Sequence, residues 1–130
     1  MDAIQLEYLD HVAIRVKDLE VSASWYKRVL GLKRYQFERW GDYPIFLLSG
    51  KAGVALFPML EEEIKSSIDH FAFNVTRANY ELAKERYANL RLEYIEKDHY
   101  YFHSIYTNDP DGHVVELTTL MVPEEEVYGA

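Results

Sequence analysis

The feature that most constrains this chain is that its pattern is written twice. Residues 9–16 read LDHVAIRV and residues 68–75 read IDHFAFNV, 59 positions apart. Val12, Ile14 and Val16 alternate with other residues in the first copy, as Phe71, Phe73 and Val75 do in the second. That is the period of a half-buried strand. A helical pattern follows each copy. Asp18 is placed to cap a helix carrying Leu19, Val21, Ser22, Trp25, Tyr26, Val29 and Leu30 on one broad stripe, closed by Gly31. Thr76 is the corresponding cap in the second copy, where Tyr80, Ala83, Tyr87 and Leu90 recur at spacings of three and four. Short strand-like runs come next: 33–39, 44–49 and 53–58, then 92–97, 101–107 and 113–119. Each half reads βαβββ, a long-period repeat that dominates any other organisation.

With 130 residues, the expectation is one α+β domain over 1–130, with modules at about 8–59 and 68–119. The polar stretch 60–67 (LEEEIKSS) reads as the connector. The tail 120–130, with Pro123 and three glutamates after it, reads as a solvated end or a short frayed helix.

Composition removes several classes of function. Lys and Arg number 14 against 22 Asp and Glu, a net charge of −8, which argues against nucleic acid or an anionic membrane as partner. No apolar run approaches the ~20 residues of a membrane span. The start, MDAIQLEYLDH, is too acidic and polar for a signal or transit peptide. With no cysteine, disulfides, thiolate zinc sites, iron–sulfur clusters and cysteine nucleophiles are excluded together. A cytoplasmic location is the expectation.

Strand parity then sorts the polar residues. If Val12, Ile14, Val16, Phe71, Phe73 and Val75 pack under the helices, His11 and His70 fall on the opposite face of the sheet. The turn Asp109-Pro110-Asp111-Gly112 opens a last strand in which Val115 and Leu117 share one face and Val114, Glu116 and Thr118 the other. Glu116 thereby joins the two histidines. Isolated strand histidines are commonly exposed or satisfied, but that account leaves the repeat-equivalent pair and the matching carboxylate unexplained. Two neutral imidazoles and one carboxylate form a facial set for a divalent cation, with positions left open for substrate or water. A closed structural zinc site would want four protein ligands.

In LDHVAIRVKDLEVSASWYKRVLGL, IDHFAFNV and SIYTNDPDGHVVEL, over residues 8–119, the chain resembles the vicinal oxygen chelate superfamily, which includes glyoxalase I, fosfomycin-resistance proteins, bleomycin-binding proteins and extradiol dioxygenases. The resemblance implies paired βαβββ modules in a curved, half-barrel-like mixed sheet with helices on its outer face. It implies one divalent metal per site (Fe2+, Mn2+, Zn2+ or Ni2+) held by His11, His70 and Glu116, and a small-molecule substrate that chelates it. It also implies a homodimer, in which His11 completes a site either within its own chain or with the partner's other ligands.

By the constant offset, Phe57 takes the first-half place of Glu116, where glyoxalase I is expected to carry a glutamate; this argues against a strict glyoxalase I. The extradiol signature maps onto His99, Tyr106, the Asp-Pro-Asp-Gly turn and Glu116, with His99 and Tyr106 orienting substrate hydroxyls and moving protons. Lys97 departs from that signature. No role falls to His103 or His113. A fosfomycin-transferase-like or glyoxalase-like lyase or transferase is the alternative; Arg15, on the face of His11, is then the obvious cation for an anionic substrate. A metal-free binding protein of the bleomycin type is a further one, its groove lined by aromatics such as Trp40, Tyr43, Phe46, Phe57, Tyr100 and Tyr101.

Overall fold

A computed structural model describes residues 3–60 and 68–129. Apart from Leu60, the connector expected at 60–67 lies outside the described residues. The chain falls into two compact units, Met1–Ser66 and Ser67–Ala130.

The first unit runs β1 (His11–Val16), α1 (Leu19–Leu30), β2 (Lys33–Tyr35), a 3-10 turn at Glu38–Trp40, β3 (Ile45–Ser49) and β4 (Ala52–Pro58). Its four strands are ordered β1-β4-β3-β2, with β1 parallel to β4 and the other pairs antiparallel. Asp18 accepts bonds from the backbone N–H groups of Glu20 and Val21, and Gly31 takes the left-handed conformation that ends α1. Ser22, Ala23, Trp25, Tyr26 and Val29 of α1 are buried against a sheet face built of Ile14, Val16, Ile45, Leu47, Val54 and Leu56. Val21, expected on this stripe, is instead 53% exposed. The buried arc begins one residue later, at Ser22. The run expected at 33–39 pairs only as far as Tyr35, because Phe37 and Trp40 turn inward on each other, ring centroids 4.7 Å apart.

The second unit runs β5 (Phe71–Asn74), α2 (Arg77–Asn89), β6 (Ile95–Asp98), β7 (Phe102–Asn108), β8 (Val114–Leu120) and a short α3 (Glu125–Tyr128). Strand order is β5-β8-β7-β6, again with one parallel pair, β5 and β8. Thr76 caps α2 through the N–H of Asn79. This helix buries only two side chains, Tyr80 and Tyr87, against a sheet face that includes Ile105, Val115 and Leu117. The Tyr80 hydroxyl donates to Glu96 at 2.7 Å, tying α2 to β6. That bond, followed by Lys84, holds the Glu96 carboxyl below its usual range. Both units are thus open, four-stranded mixed sheets with a helix on one face, and the opposite face is left for chemistry.

Candidate metal and substrate site

In the second unit the ladder itself assembles the site. Ala72 on β5 and Tyr106 on β7 both lie opposite Glu116 on β8. His70, two residues before Ala72, sits on the same face. His70 Nε2 and Glu116 Oε1 are 3.1 Å apart. Two donors bound about 2.1 Å from one ion at a right angle would lie about 3 Å apart, so the pair has the spacing of neighbouring ligands. The other ring nitrogen, Nδ1, meets Asp69 Oδ2 at 2.6 Å. A carboxylate on the far side of an imidazole is the usual support of a metal-binding histidine. Glu116 is itself 8% exposed, and water competes little for its charge there. On the chemistry of these donors, the residues fit a divalent ion.

Tyr106 completes the cluster. Its hydroxyl lies 2.8 Å from His99 Nε2, so the two residues singled out for proton movement do meet. Burial, then the negative charge of Glu116 and a hydrogen bond with it, raise the Tyr106 phenol above its ordinary range, and it stands as a neutral hydroxyl. Tyr106 borders an open cavity of about 870 Å³, with Asp69, His70, Ile95, Lys97 and Val114 among its other lining residues. Lys97 Nζ lies 5.4 Å from the Tyr106 ring centroid, a cation–π contact.

The loop before β8 fixes where Glu116 falls. Asp109 is 5% exposed, and its carboxylate accepts from the N–H groups of Asp111 and His113, both at 2.9 Å. Its second oxygen meets His113 Nδ1 at 2.8 Å. That bond, against the opposing effect of burial, raises the His113 pKa. His113, given no role from sequence, is therefore a structural brace of the turn.

The first unit presents the same face with different chemistry. His11 Nδ1 meets Asp10 Oδ2 at 2.7 Å, matching the His70–Asp69 pair. The His11 ring lies 5.1 Å from Phe46, and Trp40 packs on that same Phe46 at 5.5 Å. Arg15 lies opposite Phe57, its guanidinium 5.1 Å from the ring, and donates to the Pro58 carbonyl. One mapping needs correction. Ala13 pairs with Ala55 as Ala72 pairs with Glu116, and Phe46 lies opposite Ala55 as Tyr106 lies opposite Glu116. The register counterpart of Glu116 is therefore Ala55, not Phe57. The constant offset misses by two residues: Ala72 to Tyr106 spans one residue more than Ala13 to Phe46, and β3 and β4 join through Gly50 and Lys51 alone, Ser49 pairing with Ala52. The β7–β8 turn instead closes Asp109 onto His113, one residue longer.

Within either unit, no three His, Asp or Glu donors converge on one point among the described residues. His70 and Glu116 lie in the second unit and His11 in the first. Asp10 and Asp69 have no role, and Lys97 enters only as a departure from the extradiol signature, in the sequence reading. Lys97 was within reach of it: opposite Ser104, it shares the face of Tyr106 by parity. The aspartates precede their strands, where parity has no force.

A family model described as the Glyoxalase/Bleomycin resistance protein/Dioxygenase superfamily matches residues 8–117. Among curated relatives, the "Glutathione transferase FosA" of Serratia marcescens is 28% identical over 120 residues, covering 86% of this chain and 80% of that protein. The "Metallothiol transferase FosB" of Staphylococcus epidermidis is 28% identical over 132 residues, covering 96% and 90%. Among solved structures, the fosfomycin resistance protein FosX of Mesorhizobium loti aligns with a TM-score of 0.69 at 27% identity, over 95% of this chain and all of that one. With the family model spanning both βαβββ halves, the chain belongs to the glyoxalase/bleomycin resistance protein/dioxygenase superfamily.

Proposed function

We propose that the protein is a divalent-metal-dependent enzyme acting on a small substrate through two oxygens, with His70 and Glu116 as ligands together with His11 of the same chain or of a second copy in a homodimer. The observation that carries this reading is the 3.1 Å approach of His70 Nε2 to Glu116 Oε1 with Asp69 behind the ring. When bound, the ion supplies Lewis acidity, or with iron the capacity to activate O2, leaving about three positions for substrate and water. Fe2+, Mn2+, Zn2+ and Ni2+ all suit two imidazoles and a carboxylate.

The chain's own groups do the rest. Tyr106 and His99, joined at 2.8 Å, hold and move a proton at the phenol oxygen beside the cavity. Ile95 and Val114 give that cavity apolar walls, and Lys97 offers positive charge. Arg15 and Phe57, with Trp40 packed on Phe46, form the first unit's substrate-facing surface in this reading.

Two reactions compete. Extradiol-like ring cleavage is favoured by the His99–Tyr106 contact. Thiol transfer is favoured by the names of the relatives, a glutathione transferase and a metallothiol transferase. Titration of metal-stripped protein with each of the four ions, followed by assay of the tightest complex for oxygen uptake with catechols and for thiol addition to fosfomycin, separates them. Glu116→Ala is expected to lose metal affinity and any turnover together while keeping its circular dichroism. A Glu116→Ala protein that binds metal as the parent does would overturn the proposal.

A further inference from the structure

Resting on the metal reading above, we infer that Asp10 and Asp69 are positioning residues: each fixes one ring nitrogen of the neighbouring histidine so that the other is presented as a ligand. The arrangement occurs twice, once in each of the two units, with nearly the same geometry. Asp10 Oδ2 lies 2.7 Å from His11 Nδ1, and Asp69 Oδ2 lies 2.6 Å from His70 Nδ1. In both cases the carboxylate belongs to the residue just before the histidine, one position ahead of β1 for Asp10 and two ahead of β5 for Asp69. The outer side of each ring is thereby engaged by an acceptor.

The physical consequence follows from imidazole chemistry. A neutral ring carries one N–H, and a carboxylate at Nδ1 places it there. The lone pair is then on Nε2, the nitrogen that faces Glu116 in the second unit. The same bond fixes the ring's rotation about its χ angles, so the ligand loses less side-chain freedom when it binds an ion. Supporting carboxylates of this kind typically contribute about 10–100-fold in metal affinity. Here the Asp69 side chain is 95% exposed and that of Asp10 is 63% exposed. Water screens such bonds, and the effect belongs at the lower end, about tenfold for each.

The pairing also separates two kinds of histidine in this chain. His99 has its Nε2 on a tyrosine hydroxyl, and His113 has its Nδ1 on an aspartate that braces a turn. Only His11 and His70 combine an adjacent carboxylate on Nδ1 with a place on the open face of their sheets.

The test uses the full chain with Zn2+ as the probe metal. Asp69→Ala is expected to weaken zinc binding about tenfold, with far-ultraviolet circular dichroism unchanged. In nitrogen-15 spectra of the zinc-loaded protein, the His70 Nδ1–H signal should move upfield and broaden as its acceptor is lost. Asp69→Asn keeps an acceptor oxygen and should restore most of both quantities. A purely structural aspartate would not move the ring-nitrogen signal. Asp69→Ala with parental zinc affinity and an unmoved His70 signal, in a protein whose His70→Ala variant has lost zinc, would overturn this inference alone. His70→Ala that binds zinc like the parent would overturn the metal reading and the inference with it.

Discussion

The first unit sets Ala55 between Ala13 and Phe46, and the second sets Glu116 between Ala72 and Tyr106. The same three-strand ladder thus carries an aromatic wall in one half and a carboxylate with a phenol in the other. His11 and His70 occupy matching places, each with its aspartate. The two halves share the scaffold and the imidazole and differ in the neighbouring strands. The hairpins differ as well. A two-residue turn at Gly50 and Lys51 closes β3 onto β4, and a longer turn braced by Asp109 closes β7 onto β8.

The largest expected break in this comparison lies at Gly53, whose register counterpart is Val114. A Cβ at Gly53 would sit 2.1 Å from the Leu47 carbonyl oxygen, a backbone atom that cannot step aside. Gly53→Ala should cost about 3 kcal/mol and Val114→Ala under about 1 kcal/mol, read by urea denaturation. Equal costs would mean that the two hairpins are not under different constraint.

Next come the turns themselves. Asp109→Ala removes one acceptor from three donors and should cost about 2–3 kcal/mol, whereas Lys51→Ala, on an exposed turn, should stay within about 0.5 kcal/mol. The turn also carries a pH signature. His113 has a raised pKa because the Asp109 carboxylate favours its charged form. Its contribution is fully present below the unfolded value of about 6.5 and is lost as pH rises through the folded one. Stability of the parent should therefore decline across that window more than stability of His113→Ala. Parallel pH profiles would contradict the brace.

Smaller effects separate the helices. Asp18→Ala, which removes the acceptor of two N–H groups on α1, should cost about 1–2 kcal/mol; Thr76→Ala, with one on α2, about 0.5–1 kcal/mol. Smallest is Tyr87→Phe. Tyr87 is buried and its hydroxyl has no hydrogen-bond partner among the described residues, so its removal should be neutral or slightly stabilising. Tyr80→Phe, which loses the bond to Glu96, should destabilise. Thermal unfolding of the four variants would rank them.

Much of this was legible in the chain. The apolar periods located every strand and both long helices to within a few residues, because alternation and capping are local properties of Asp18, Gly31 and Thr76. Parity placed His70 and Glu116 on one face, and they meet there. What failed depended on length. Counting by a fixed 59 residues paired Phe57 with Glu116, since one extra residue before β7 and one more in the β7–β8 turn shift the register of everything after them. The run through 33–39 stopped early because Phe37 and Trp40 stack on each other rather than continuing the alternation. Asp10 and Asp69 lie before their strands begin, and a bond between adjacent side chains leaves no mark on periodicity.

The most direct test of the central claim is the metal-to-protein ratio of gently purified protein, measured by plasma mass spectrometry for the parent, His11→Ala and His70→Ala. The proposed set of His11, His70 and Glu116 predicts one divalent ion per chain in the parent and almost none in either variant. Two ions per chain, or a parental ratio in either histidine variant, would contradict the account.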